Sequence, residues 1–207
     1  LQNAPVIWKG DYPYFIHPLT DGVPRLDPEV LSAVTDLCLE AINWQNVDLI
    51  LGIEAMGLPL TAPLSINSGK PLVVIRKRQY GLEGEVIIDQ STGYSKGEMF
   101  LNDINAGERV VIVDDVITAG TAVNECARLI TQLGGTLVGV LISLDRQERG
   151  HTALSATTEV ASKLNVPVAA IASLDDLINH LESGNSEANG YLQDIKKYRQ
   201  RYGAVSN

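Results

Sequence analysis

Cysteine, positive charge and long apolar runs are all scarce in this 207-residue chain, and each shortage removes a class of protein. The two cysteines, Cys38 and Cys126, lie far apart in apolar, helix-like contexts. That leaves no disulfide framework and no metal-ligand spacing, so buried free thiols are expected. Against 25 Asp and Glu there are only 16 Lys and Arg, a net charge of −9 with pI near 4.8. Nothing global therefore favours a nucleic acid or an anionic membrane as partner. Any polyanion has to be held locally, by backbone amides, a few placed cations or a metal. No apolar run reaches membrane-spanning length. The opening residues, Leu1 to Pro5, lack the basic and hydrophobic regions of a signal peptide, so a cytoplasmic protein is expected. The Leu start suggests that a few residues precede it. Internal repeats, low-complexity tracts, the phosphate loop Gly-x-x-x-x-Gly-Lys and the dinucleotide pattern Gly-x-Gly-x-x-Gly are missing too.

What remains is a globular composition, 45% hydrophobic and 20% charged, enough for one sizeable core with a small accessory lobe. Residues 5–28 are rich in Pro, Gly and aromatics (Trp8, Tyr12, Tyr14, Phe15) without a clean period, and predict an irregular lobe or short strands. At Asp27-Pro28-Glu29 the pattern turns helical: Asp27 can cap, Pro28 suits the first turn, and Val30, Leu31, Val34, Leu37, Cys38, Ala41 and Ile42 recur at helical spacing. Apolar strands are expected at 47–51, stopped by Gly52, and at 71–75, with a helix over 58–65 between them. Residues 76–101, polar and glycine-rich, predict a long mobile loop or hairpin, which at that size is usually a functional lid. A third strand at 109–113 ends in Asp114-Asp115, and a helix over about 119–133 stops at Gly134-Gly135. Strands at 136–144 and 166–172 flank a helical pattern at 152–164, and helices at 175–182 and 191–202 close the chain. Buried strands alternating with helices predict an α/β fold, a mainly parallel sheet with helices on both faces. The expected division is a lobe over 1–28, a core over 29–175 that includes a lid at 76–101, and C-terminal helices over 176–207.

The strongest chemical signal is the run from Val110 to Thr121. A buried strand delivers two adjacent carboxylates, Asp114 and Asp115, to its carboxyl end; a loop of small and hydroxylic residues follows, and then a helix begins. The free N–H groups and dipole of a helix start attract an anion. Ala119 and Gly120 let a phosphate approach the backbone, and Thr118 and Thr121 add hydroxyl donors. Carboxylates beside a phosphate repel it, unless they accept hydrogen bonds from the hydroxyls of the same ligand. A ribose phosphate with a free 2,3-diol meets both demands, directly or through Mg²⁺. The plainer reading of Asp-Asp as a strand end with a turn cap leaves the rest of the run unexplained. Arg76-Lys77-Arg78, at the carboxyl end of the second strand, is a cluster of cations able to neutralise a departing pyrophosphate, or else a solvated basic patch.

The run at 110–121 resembles the signature with which type I phosphoribosyltransferases bind phosphoribosyl pyrophosphate (PRPP). The resemblance implies their fold, including a small N-terminal hood lobe, and a homodimer. It further implies that Asp114, Asp115, Val116, Ile117, Thr118, Ala119, Gly120 and Thr121 hold the ribose hydroxyls and 5-phosphate, with Mg²⁺ reaching the aspartates through PRPP and water. The segment from Gly52 to Gly57 resembles the pyrophosphate loop of purine phosphoribosyltransferases, where the amides of Glu54, Ala55, Met56 and Gly57 would grip the leaving group. Residues 80–98 resemble the lid of the same families, with Tyr94 and Lys96 matching its adenine-type positions; Gly93 stands where those enzymes have glutamate. Glu83, Glu85 and Glu98 are expected on a solvated lid face, and neither His17 nor His151 is assigned a role.

The two halves resemble different branches. Residues 1–113 are similar to archaeal-type hypoxanthine/guanine phosphoribosyltransferases, through Lys9 to Pro18, Asp21-Gly22-Val23-Pro24 and the run from Val73 to Met99. From about 110 onward, through Gly139 to Gly150, the chain is similar to orotate phosphoribosyltransferases. The resemblance thus implies transfer of ribose 5-phosphate from PRPP to a nucleobase with release of pyrophosphate, the base being a purine framed by Tyr14 and Phe15, or orotate read by Arg146. A paired surface Arg146 and a lobe whose aromatics are merely its core are the plainer alternatives. A PRPP-sensing regulator and a protein-binding α/β domain are the competing classes; the lid argues against the first and Asp114-Asp115 against the second.

Overall fold

A computed structural model of the chain describes residues 6–9, 12–16, 19, 21–23, 25–91, 96–117, 120–183 and 191–204; residues 6, 8, 9, 12–15, 88–91 and 96 are described by their backbone alone. Five parallel strands form the central sheet in the order β4 (Leu72–Ile75), β3 (Leu49–Ile53), β7 (Arg109–Val116), β8 (Thr136–Asp145), β9 (Val168–Ser173). Two antiparallel strand pairs form separate sheets, β1 (Val6–Lys9) with β2 (Tyr12–Phe15), and β5 (Val86–Ser91) with β6 (Lys96–Leu101), the latter bridged to the end of β4 through Arg76 and Phe100.

Period-two alternation sorts the central strands onto two cores. Leu49, Leu51 and Ile53, with Val110, Ile112, Val140 and Ile142, face α3 (Thr121–Gln132) and α4 (Ala156–Leu164), where Val123, Cys126, Ile130 and Val160 complete one cluster. Ile50, Val111, Val113 and Leu141 face α1 (Pro28–Ala41) and α2 (Leu58–Ser68), meeting Cys38, Leu60 and Leu64. Helices therefore cover both faces, the expected α/β class. Both cysteines are buried free thiols, and burial pushes Cys38 up to about 12. Asp27 caps α1 by accepting from the N–H groups of Glu29 and Val30.

Element ends move for identifiable reasons. Gly52 does not stop β3; it lies within the strand, where a Cβ would sit 2.9 Å from the Thr61 hydroxyl. β7 runs on through both aspartates because Val116 still pairs with Leu144 of β8. The helix expected over 152–164 begins only at Ala156, with Ser155 as cap, since the Glu159 carboxylate accepts from the N–H groups of His151 and Thr152 and holds them in a loop. α5 (Leu174–Glu182) and α6 (Leu192–Tyr202) close the chain.

At the amino ends of β3 and β7, Asp48 and Arg109 form a two-pronged pair, with Oδ2 to Nε 2.8 Å and Oδ1 to Nη2 2.7 Å, and the Arg109 N–H donates to the same carboxylate. The Arg109 side chain, and then its backbone N–H, hold the Asp48 carboxyl below the usual carboxylate range. A depressed folded-state pKa stabilises above the unfolded value, and the contribution is lost as pH falls. Asp48→Asn is therefore expected to melt below the wild type at pH 7, with the gap closing as pH drops below about 3.9. Calorimetric melts across that range check this.

Candidate active site

The carboxyl ends of β3, β4, β7 and β8 open on one edge of the sheet, where α/β folds bind ligands. The two acids of β7 are unequal there. Asp114 is 9% exposed, and its Oδ1 accepts the Asp115 N–H at 2.9 Å. Burial, then the Asp115 charge, push the Asp114 pKa well above the usual range, while Lys77 pulls it down. Asp115 is half-buried, and its carbonyl accepts from the buried Ser143 hydroxyl of β8 at 2.7 Å. The edge thus carries more negative charge than its surroundings solvate, which suits a ligand bringing hydroxyls or a cation.

Past the acids, the Ile117 side chain is buried in the core, so it offers a ligand only its backbone, and half-buried Val116 continues the strand. Thr118 and Ala119 lie outside the described residues. Gly120 caps α3 at φ +70°, and an added Cβ would meet the Val160 Cγ2 at 2.4 Å. Asn124 donates both its N–H and its side-chain Nδ2 to the Gly120 carbonyl, at 2.9 and 2.7 Å. α3 begins at Thr121, five residues beyond the end of β7, and the leading N–H groups of its first turn have no partner within the helix.

On β7's other neighbour, residues 54–57 turn tightly from β3 into α2. The Glu54–Ala55 peptide is cis, a feature with no signature in the residues. Gly57 packs so closely that a Cβ would stand 2.8 Å from the Val113 carbonyl, which seats the turn against β7 beside the acids. Ala55 is exposed and Met56 half-buried. Glu54 accepts the Lys77 N–H at 2.6 Å, tying this turn to the end of β4.

The basic cluster differs from its reading as three available cations. The Arg76 guanidinium is committed to Glu85 (3.0 Å) and Asn102 (2.6 Å) and lies 4.5 Å over the Tyr80 ring. Its charge is thereby matched, leaving Lys77 as the cation felt by Asp114. Glu85, expected in solvent with Glu83 and Glu98, has a side chain only 3% exposed; the other two are exposed. Seen as one more glutamate in a polar stretch, Glu85 gives no sign of its partners, because the turn of chain from Arg76 to Gly81 that folds around it has no periodic pattern.

Of the residues read as base-binding, Tyr14 and Phe15 lie on β2 and their side chains are outside the described residues. Arg146 follows the last residue of β8 and pairs with Glu148 at 3.3 Å, yet its side chain is only 21% exposed and so is not the surface residue of the plainer reading. Tyr198 of α6 also hydrogen-bonds Glu148, and Arg199 pairs with Asp175, so the C-terminal helix braces this turn. Tyr94 lies outside the described residues, as does the side chain of Lys96. Met99, Phe100 and Leu101 are buried, which anchors the base of the β5–β6 hairpin in the core.

The geometry can be set beside known proteins. Residues 26–164 match the model of the phosphoribosyl transferase domain. A hypoxanthine/guanine phosphoribosyltransferase of Aciduliprofundum boonei is 44% identical over 146 residues, covering 70% of this chain and 79% of that protein. One from Methanohalobium evestigatum is 41% identical over 195 residues, 93% of this chain and 96% of that protein, so a single relative spans both halves. The crystal structure of an adenine phosphoribosyltransferase from Thermoanaerobacter pseudethanolicus superposes with TM-score 0.64 at 21% identity, covering 82% of this chain and 95% of that one. The β7 acids, the capped start of α3 and the turn packed against β7 all lie within the matched residues, and the chain belongs to the phosphoribosyl transferase family.

Proposed function

We propose that this protein transfers ribose 5-phosphate from PRPP to a ring nitrogen of a purine, hypoxanthine or guanine, and releases pyrophosphate. The observation that carries this is the junction at 114–121, where a carboxylate pair, one member buried, leads straight to a helix start. The base assignment draws on the names of the relatives above, one of which aligns with 93% of the chain.

Asp114 and Asp115 accept hydrogen bonds from the ribose 2- and 3-hydroxyls, and the N–H groups of 116–121 with the Thr118 and Thr121 hydroxyls hold the 5-phosphate. The N–H groups of Glu54, Ala55, Met56 and Gly57 hold the pyrophosphate, with Lys77 balancing its charge. The base nitrogen forms its bond to C1 as the C1–oxygen bond to pyrophosphate breaks, through an oxocarbenium-like state that water must not reach. Tyr94 and Lys96, in the 76–101 lid, exclude that water, and Tyr14, Phe15 and Arg146 frame the base. In this scheme 1–28 is the hood, 29–175 the PRPP-binding core and 176–207 the bracing helices.

The site residues fit Mg²⁺: Asp114 and Asp115 place two hard carboxylates side by side near the end of β7. They would meet the ion indirectly, through PRPP and water; among the described residues no group of three or more His, Cys, Asp or Glu side chains could hold a metal. When bound, the ion neutralises the diphosphate as it leaves. We also read the protein as cytoplasmic and as a homodimer; for the dimer, Val30 and Leu37 of α1 and Ile66 of α2 expose apolar surface that a second copy would cover.

The test is incubation with magnesium PRPP and, separately, hypoxanthine, guanine, xanthine, adenine and orotate. Nucleotide is expected from hypoxanthine and guanine. Turnover of orotate alone would reassign the base, and PRPP binding without turnover of any base would make the protein a sensor.

A further inference from the structure

We propose that Glu85 is a positioning residue that presents Lys77 to the pyrophosphate end of the site, an assignment that rests on the function above. The Glu85 carboxylate is withdrawn from solvent, yet it accepts from three donors: the N–H groups of Tyr80 (3.2 Å) and Gly81 (2.8 Å) and the Arg76 Nη2 (3.0 Å). Burial raises its pKa, but these donors outweigh that and hold it below the usual range, so the group stays an anion. Arg76 is held through its backbone and its Nη2. Its backbone exchanges hydrogen bonds with Phe100 (2.9 and 2.7 Å), its guanidinium reaches Asn102, and the Tyr80 ring lies beneath it. The Arg76 and Arg78 guanidinium groups both lie over the Tyr80 ring, 4.5 and 5.9 Å from its centroid, which leaves the intervening Lys77 to the opposite side of the chain. Lys77 is the cation that lowers the Asp114 pKa. Glu54 completes the arrangement by accepting the Lys77 N–H, which couples its placement to the 54–57 turn.

A double-mutant cycle with magnesium pyrophosphate as titrant tests this, since binding reads the pyrophosphate end whatever base is used. Glu85→Ala is expected to weaken the Kd about tenfold in the wild-type background but less than about twofold when Lys77→Ala is already present, because residues acting through one another are not additive. Glu85→Gln keeps an acceptor for the two N–H groups but loses the charge; it should fall between wild type and alanine, and it replaces alanine in the cycle if that variant fails to fold. Full additivity in the two backgrounds, or an unchanged Kd in Glu85→Ala, overturns the assignment. Failure of the function reading appears separately, as absence of purine turnover by the wild type.

Discussion

Asp114→Asn is expected to raise the melting temperature of the ligand-free protein while lowering kcat/KM by about 10- to 100-fold, one charge-assisted hydrogen bond being worth about 1.5–3 kcal/mol. Both effects have one source. Burial and the neighbouring Asp115 penalise the Asp114 anion, so its folded-state pKa lies above the unfolded value. Between those values the folded state holds a proton that the unfolded state has released, and stability falls as pH rises. Asparagine carries no charge, can still accept the Asp115 N–H through its amide oxygen, and removes that pH slope. The substrate is what the charge is for: the ribose diol donates to it. Pairing the change with Asp115→Asn should bring the total loss to about 3–6 kcal/mol, two such bonds. Melting curves from pH 4 to 8, alongside kinetics, check both halves. A variant that melts lower than wild type and keeps full activity would refute the placement of the diol.

Gly120→Ala should be the most damaging single methyl addition at the site. Two independent costs meet at this position. Its φ of +70° costs an L-residue about 1–2 kcal/mol. The new Cβ would also meet Val160 Cγ2 at 2.4 Å, and because valine is stiff at χ1 and buried in α4, the clash adds about 1–3 kcal/mol. At about 2–4 °C per kcal/mol for a chain of this size, the drop is plain in a melt. PRPP affinity should fall as well, since the cap sets where the first-turn N–H groups point. In a Val160→Ala background the clash is gone but the φ cost is not, so Gly120→Ala should cost less there than in the wild type, each compared with its own parent. Equal costs in the two backgrounds would mean that the glycine is required for conformation alone.

Local pattern carried much of this architecture. Val110 to Val113 could be read as a buried strand because each residue meets a core on one face or the other, and Asp27-Pro28 marked the α1 start through capping chemistry confined to a few residues. The order of acids, small residues and helix start at 114–121 was legible for the same reason, since everything it needs lies within one turn of chain. The hairpin was legible as a segment and not as a network. Arg76, Glu85 and Asn102 are spread over 26 residues of sequence separation, and only the antiparallel return of β6 beside β4 brings them together.

By itself, then, the chain's sequence determined the parallel α/β class, the acids at the end of β7 and the helix start beyond them, because periodicity and capping act between near neighbours. Tertiary structure alone decided that Arg76 is held by Asn102 as well as Glu85, that Asp114 is buried while Asp115 is not, and that Tyr198 of the C-terminal helix reaches Glu148. The availability of a charge depends on what folding packs against it, and those partners come from distant parts of the chain.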